Sequence, residues 1–414
     1  MRILHVVHQY LPDQVGGTEL YTHWIAHHLA QRGHQVDIFY RRAAAGTGVE
    51  TRLEAHGTRV WAAQAGQVSP TGRFLATFGE KQLLDSFRQV VLQVKPDLVH
   101  LQHLMGLPIA IVDFLQRHNL PFVVTLHDYW WVCANAQLLT NYSRQLCDGP
   151  QAYLNCARCV LARTGYPDRF WPVLPLLAGP LAWRNHHLRR ALNWAETLIA
   201  PTQFVGRWYI DHGISPQKIR VIPHGLDSPP ALTQTSQNEA APFRFAYIGG
   251  LSWQKGVHIL LEAFANINNN AELWIAGDES ADPDYVSRLR MLAGPDVRFL
   301  GKLPREKVWD TLRQVDVVVL PSLWYETFSF IVSEAFAAGV PVVASKIGPL
   351  AERVSDGVNG LLVPPNQPQA LAKSLRRVLQ EPELLGQLQA GIGPVYTFEE
   401  HVTELEAVYR QALK

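Results

Sequence analysis

Short apolar runs alternate along the chain with stretches whose apolar residues recur at helical spacing, so strands and helices are expected to take turns. Ile3–Val7 reads as a first strand and Gln9–Thr18 as a loop carrying Pro12, Gly16 and Gly17. Glu19–Gln31 reads as a helix ended by Gly33. Gln35–Tyr40 returns as a strand and completes a βαβ opening. Asp97–Gln102, Pro121–Leu126, Thr197–Pro201 and Lys218–Pro223 are further expected strands. A second series begins at Phe243–Ile248, with a helix over Val257–Ala265 and strands at Glu272–Ala276 and Val297–Leu300. Val315–Leu320 ends in Pro321, a polar turn follows, and a helix is expected from about Ser329 to the stop at Gly339 and Pro341. Val340–Ala344 makes the next strand. Pro368–Gln380 and Phe398–Leu413 are expected helices, the last with Val402, Leu405, Val408, Tyr409 and Ala412 on one stripe.

At 414 residues the chain is too long for one ordinary core, and two domains are expected. Residues 228–242 are poor in apolar side chains and rich in Pro, Ser, Gln and Asn, which suits a linker. The expected plan is a first domain over 1–227, with a cysteine-containing insertion at about 130–165, and a second domain over 243–392. A terminal segment, 393–414, follows. Hydrophobic residues are 47% and charged residues 18%, a globular composition. A net charge of +1 gives no indication of a nucleic-acid or polyanion partner. The N-terminus turns polar too soon for a signal peptide, and no apolar run has membrane-span length. A cytoplasmic enzyme is the expectation. Residues 166–195 mix Trp, Phe and Leu with Arg and His. Tyr166–Gly179 reads as broken by prolines and Ala182–Trp194 as an amphipathic basic helix. That helix packs on the first domain or meets the inner face of a membrane, or a lipid-linked acceptor, peripherally.

Several residues stand where chemistry is done. Ligands bind at the carboxyl ends of parallel strands, and the loop after Val315–Leu320 carries Glu326 with Glu334 in the following helix. The first amides of that helix, near Thr327–Ile331, lack intrahelical partners and suit an anion or a sugar hydroxyl. Glu334 lies among Ile331, Val332, Ala335 and Phe336, where it either caps its helix, meets a cation, or accepts hydrogen bonds from a vicinal diol. Gly16 and Gly17 open the first helix, as a tight turn or as a place of close approach to a ligand. His103 and His127 end two strands, as structural hydrogen-bonders or as site residues. All four cysteines, Cys133, Cys147, Cys156 and Cys159, fall in one polar stretch. In a reducing compartment four thiols ending in Cys-x2-Cys suit one structural zinc. A redox pair or four buried thiols are the alternatives.

Glu326-x7-Glu334, followed by AFAAGVPVVAS, resembles the signature of family-four retaining glycosyltransferases of the GT-B fold. The resemblance covers nearly the whole chain and is strongest over 243–365. It implies two Rossmann-like, doubly wound domains facing across a cleft, with the terminal helix crossing back to the first. It implies a retaining, metal-independent transfer of a hexose from a nucleoside-diphosphate sugar, with UDP expected. The acceptor hydroxyl would belong to a glycan or lipid-linked glycan of polysaccharide biosynthesis. Glu334 would hold the ribose, Glu326 the donor sugar and Lys255 the diphosphate. Thr327, Phe328, Ser329 and Phe330 would line the donor, Gly301 and Lys302 would meet the base, and Gly17 the phosphates. His127, in TLHD, would serve catalysis with Glu326 and Lys255. Gly16, Glu19, His103 and Asp128 would line the acceptor side. Two positions depart from the family. Gly250 stands where an arginine is usual, which removes one phosphate partner, and His224 stands where an asparagine is usual. No Asp-x-Asp lies in an expected donor loop, so no catalytic cofactor or metal is called for, and no nucleophile is evident on the sugar's far face. The alternatives are a nucleotide-sugar epimerase of the same fold and a non-catalytic nucleotide-sugar-binding protein.

Overall fold

The computed structural model describes residues 1–66, 69–165, 172–227, 242–267 and 271–414. It divides into two compact units, Met1–Gly225 with Phe398–Lys414, and Leu226–Thr397. The expected linker, 228–242, lies outside the described residues except for Pro242. The terminal segment that groups with the first unit begins at Phe398, so residues 393–397 belong with the second unit.

The first unit is built on eight strands: β1 Arg2–Val7, β2 Gln35–Ala43, β3 Gly48–Leu53, β4 Arg59–Ala65, β5 Leu98–Leu101, β6 Phe122–Thr125, β7 Thr197–Ala200 and β8 Ile219–Val221. Their order is β3-β4-β2-β1-β5-β6-β7-β8, all parallel except the β3–β4 pair. Ile3, Leu4, Val6, Val7, Leu98, Val99, Val123 and Val124 are fully buried, as strands covered on both faces require. The β3–β4 hairpin was not expected. GVETRL has no apolar run, because β3 is a charged, half-exposed edge strand.

Residues 166–171 of the stretch expected to be broken by prolines lie outside the described residues, and the expected break between Gly179 and Ala182 is not there. One helix runs Leu174–Trp194 through Pro180. Pro175 sits in its first turn, where a missing N–H is harmless, and the buried face of Leu174, Ala178, Leu181, Leu188 and Leu192 outweighs the bond lost at Pro180. Its arginines are engaged inside the unit. Arg184 is buried and donates to the Trp130 carbonyl (2.7 Å), Arg189 to the Gly213 carbonyl (2.9 Å), and Arg190 pairs with Asp113 (2.9 Å). Helix Phe398–Ala412 packs on the same unit. Its His401 Nε2 meets the Tyr21 hydroxyl at 2.8 Å, and its Tyr409 hydroxyl meets His100 Nδ1 at 2.7 Å.

The second unit holds β9 Phe243–Ile248, β10 Ala271–Ala276, β11 Val297–Gly301, β12 Val317–Leu320, β13 Val342–Ser345 and β14 Gly360–Val363. All are parallel, in the order β11-β10-β9-β12-β13-β14. Strand succession runs outward from β9 in one direction and from β12 in the other. The chain therefore changes direction between β9 and β12, and that junction is where a doubly wound sheet binds ligands.

Candidate active site

The loops that leave β9 and β12 are joined at this switch point. After β9 comes a 3-10 turn, Trp253–Lys255, then Gly256 with φ +73, then helix Val257–Phe264. A Cβ on Gly256 would stand 2.0 Å from the Pro321 carbonyl oxygen at the end of β12, so only glycine fits. The Leu323 amide donates to the Gln254 carbonyl at 2.8 Å. These two contacts bring Lys255 and Glu326 together. Lys255 Nζ donates to both Glu326 oxygens, at 2.7 and 2.9 Å. Ser322 Oγ (2.8 Å) and Trp324 Nε1 (3.1 Å) also donate to Glu326, and the Trp324 ring lies 5.3 Å from the ammonium. Glu326 is buried while Lys255 keeps a quarter of its side chain exposed, so the carboxylate is fixed and the cation remains reachable. Gly250 follows β9 in open space, with nothing within 4 Å of an added Cβ.

Downstream of Glu326 the chain turns through Thr327 and the buried Phe328 to Ser329, whose φ is +65, and helix Phe330–Ala337 begins without a side-chain cap. Arg353 grips this turn. Its guanidinium donates to the carbonyls of Phe328 and Ser329 and to Ser333 Oγ, and it stacks 3.7 Å from the Phe328 ring centroid. Glu334 is 4% exposed and accepts a hydrogen bond from Arg305, the first residue of helix Arg305–Leu312. Burial lifts the Glu334 carboxyl above its ordinary pKa, and the Arg305 charge works against that lift. Gly301 ends β11 at φ +68 and its carbonyl accepts from the Gly277 amide at 2.9 Å. Lys302 beside it is exposed and pairs with Asp278 at 3.2 Å.

The first unit has its own switch point, between β1 and β5, and the expected acceptor-side residues gather there. Gly16 caps helix Gly17–Gln31, and Glu19 folds back over it so that a Cβ on Gly16 would meet Glu19 Oε2 at 2.5 Å. Glu19 is buried. Desolvation raises its pKa, while amide hydrogen bonds, the Gln9 side chain and His103 oppose the rise. Its Oε1 has no hydrogen-bond partner among the described residues and stands 3.7 Å from His8 Nε2. The His8 ring lies 4.5 Å from that of His103. His103 accepts from the Met105 amide at Nδ1 (3.0 Å) and donates from Nε2 to Asp128 (3.1 Å), so its tautomer is fixed. His127 donates to Gln102 Oε1 at 2.8 Å and packs against Tyr21 and His224. Burial drives its pKa down to about 3, so it is neutral at working pH. A cavity of about 540 Å3 opens beside His8, lined also by Asp13, Tyr40, Arg41 and Arg42.

The four cysteines are free thiols drawn from three segments: Cys133 after β6, Cys147 beyond the Leu139–Leu146 bridge, and Cys156 with Cys159 on helix Leu154–Arg163. Burial pushes Cys156 up to about 12 and Cys159 up to about 11, and neighbouring cysteines add to both shifts. Cys159 Sγ accepts from Asn135 Nδ2 (2.9 Å) and from the Asn141 amide (3.2 Å). As placed, no three His, Cys, Asp or Glu side chains among the described residues form a metal-holding group.

Sequence reasoning missed several of these residues. His8 follows β1 and the Arg41–Arg42 pair lies at the carboxyl end of β2, and the logic that singled out His103 and His127 applies equally to them. Trp324 stands two residues from Glu326. Arg305 and Arg353 carry no such signal, because each reaches its partner from another helix.

Comparison with known proteins agrees with the two-unit α/β fold. The family model described as Glycosyltransferase Family 4 matches residues 15–228, more than half of the chain, and that of Glycosyl transferases group 1 matches 232–391. A glycogen synthase of Mycobacterium tuberculosis is 28% identical over 92% of this chain and 87% of its own. A D-inositol 3-phosphate glycosyltransferase of Catenulispora acidiphila is 30% identical over 53% of this chain and 58% of its own. Two solved structures share the fold. Sucrose-phosphate synthase from Thermosynechococcus elongatus has a TM-score of 0.73 at 21% identity and covers 99% of this chain and 98% of its own. Anabaena HepE in complex with UDP and glucose has a TM-score of 0.66 at 22% identity and covers 99% of each. With two Rossmann-like units and both family models matched along its length, the chain belongs to glycosyltransferase family 4 and has the GT-B fold.

Proposed function

We propose that this glycosyltransferase moves a hexose from a UDP-sugar to a hydroxyl of a glycan or lipid-linked glycan, with retention of the anomer. The observation that carries the reading is the Lys255–Glu326 pair at the switch point of the second unit, with the buried Glu334 one turn into the helix that follows. Glu334 accepts hydrogen bonds from the ribose diol in place of Arg305. Glu326, held by Ser322, Trp324 and Lys255, faces the donor sugar. Lys255 stabilises the diphosphate as charge develops on it. UDP and UDP-glucose complexes of HepE support the choice of nucleotide, and a glycogen synthase among the relatives supports a glycan acceptor.

The acceptor is held in the first unit beside His8, Glu19, His103 and Asp128. His127, neutral and fixed by Gln102, serves as a hydrogen-bonding group rather than as a charged acid. The departing phosphate takes the acceptor proton. Turnover needs no divalent metal. The chain's single Asp-x-Asp, Asp282-Pro283-Asp284, opens a helix, and Asp282 is committed to the Tyr285 amide there. Release of UDP from a panel of nucleotide sugars, with the product linkage assigned by NMR, tests the reading. UDP release that requires a glycan acceptor and survives brief EDTA treatment is the expected result. An inverted anomer or recovery specific to manganese would overturn it.

A further inference from the structure

Arg353 lies outside the expected motif residues, yet it has three hydrogen-bond acceptors and a ring, all between Glu326 and Glu334: two carbonyls and the ring on the turn, and Ser333 in the first turn of the helix. A planar trans peptide points its carbonyl and the following N–H in opposite directions. With the carbonyls of Phe328 and Ser329 held on Arg353, the amides of Ser329 and Phe330 point the other way. Ser329 is left-handed and Phe330 begins a helix, and successive amides in that combination form a concave cradle for an anion. Arg353 also brings a charge. It forms no ion pair among the described residues. Glu352 and Glu334 are near enough to raise its pKa, but desolvation prevails and lowers it to about 9. A desolvated guanidinium without a bound carboxylate favours an incoming anion. Gly250, where the family carries an arginine, leaves this chain short of one such charge.

We propose that Arg353 is a positioning residue for the donor diphosphate: it orients the Ser329 and Phe330 amides and offsets part of the charge lost at Gly250. The proposal rests on the nucleotide-sugar reading of the site. Its signature is selectivity for phosphate, because a residue that merely supported the fold would affect nucleoside and nucleotide alike.

Calorimetry of UDP and of uridine, on the wild type and on Arg353→Gln, Arg353→Lys and Gly250→Arg/Arg353→Gln, tests it. Arg353→Gln is expected to lose about tenfold or more in UDP affinity while uridine changes much less. Arg353→Lys should recover only part of the loss, since the single nitrogen of an ammonium lacks the planar fork that spreads donors over two carbonyls and a hydroxyl. Gly250→Arg/Arg353→Gln should recover UDP affinity through a direct charge. Equal losses for UDP and uridine, or no loss for either, overturn the proposal. If Arg353→Gln does not fold, Arg353→Lys carries the same comparison. A wild-type protein that binds no UDP refutes the nucleotide reading itself, whereas one that binds UDP with Arg353→Gln unchanged refutes only this inference.

Discussion

Lys255 and Glu326 satisfy each other in the absence of donor, so removing either leaves a charge behind. On the proposed mechanism Lys255→Ala should lower kcat by on the order of 10²–10³ with a smaller change in KM, because diphosphate charge would grow in the transition state. Steady-state kinetics decide, and wild-type turnover would remove Lys255 from the mechanism. Glu334→Gln should weaken UDP by about 1.5–3 kcal/mol, the range of hydrogen bonds to a charged group. Burial raises the Glu334 pKa, so on acidification it takes up its proton before an exposed glutamate does. UDP affinity should therefore fall from a higher pH than a free carboxylate predicts, and Glu334→Gln should flatten that limb. Gly256→Ala tests the backbone clamp. Its positive φ and its approach to Pro321 should make it destabilising by about 1–3 kcal/mol, read as a lower thermal midpoint.

At the scale of elements, the cysteine segment makes the sharpest demand. The zinc reading predicts about one zinc per chain in protein purified without added metal. Binding must draw the thiols together, since no three ligands converge as placed among the described residues. Arg184 favours that step. It is buried, it forms no salt bridge among the described residues, and Cys133, Asp128 and Cys156 are close enough to stabilise its charge. Metal-free, active protein with four titratable thiols would replace the zinc with a thiol-lined packing cluster. The same scale shows what the sequence disclosed. Parallel strands such as Phe243–Ile248 and helices such as Pro368–Gln380 were legible because burial on both faces, or on one stripe, writes itself into the apolar pattern. The edge strand Gly48–Leu53 was hidden because it buries little, and the helix through Pro180 because packing overrode propensity. Of the candidate site, the residues carried on motif loops could be singled out from the sequence. The cations that hold those loops, Arg305 and Arg353, could not, since their contacts exist only after folding.

Over the whole molecule, histidine is unevenly shared, for every one but His258 belongs to the first unit. Burial holds His5 and His127 down to about 3, His401 down to about 4 and His100 well below its ordinary value. A lowered histidine pKa means that the unfolded chain binds the proton first. Its stabilising contribution is complete above about 6.5 and is lost as pH falls toward the folded values, at about 1.4 kcal/mol for every tenfold difference in proton affinity between the two states. The first unit should thus lose amide protection on mild acidification before the second, as hydrogen exchange at stepped pH would show. Simultaneous loss in both units would contradict this. The grouping of Phe398–Lys414 with the first 225 residues also bears on how the protein is made. A ribosome delivers Met1–Gly225 long before the helix that receives Tyr21 and His100. At about 5–20 residues per second the nascent first unit waits roughly 10–40 s with the surface that receives Phe398–Ala412 uncovered. Chains truncated before Phe398 should stay in that waiting state and be retained by chaperones, while the second unit, complete within its own stretch of message, folds during translation.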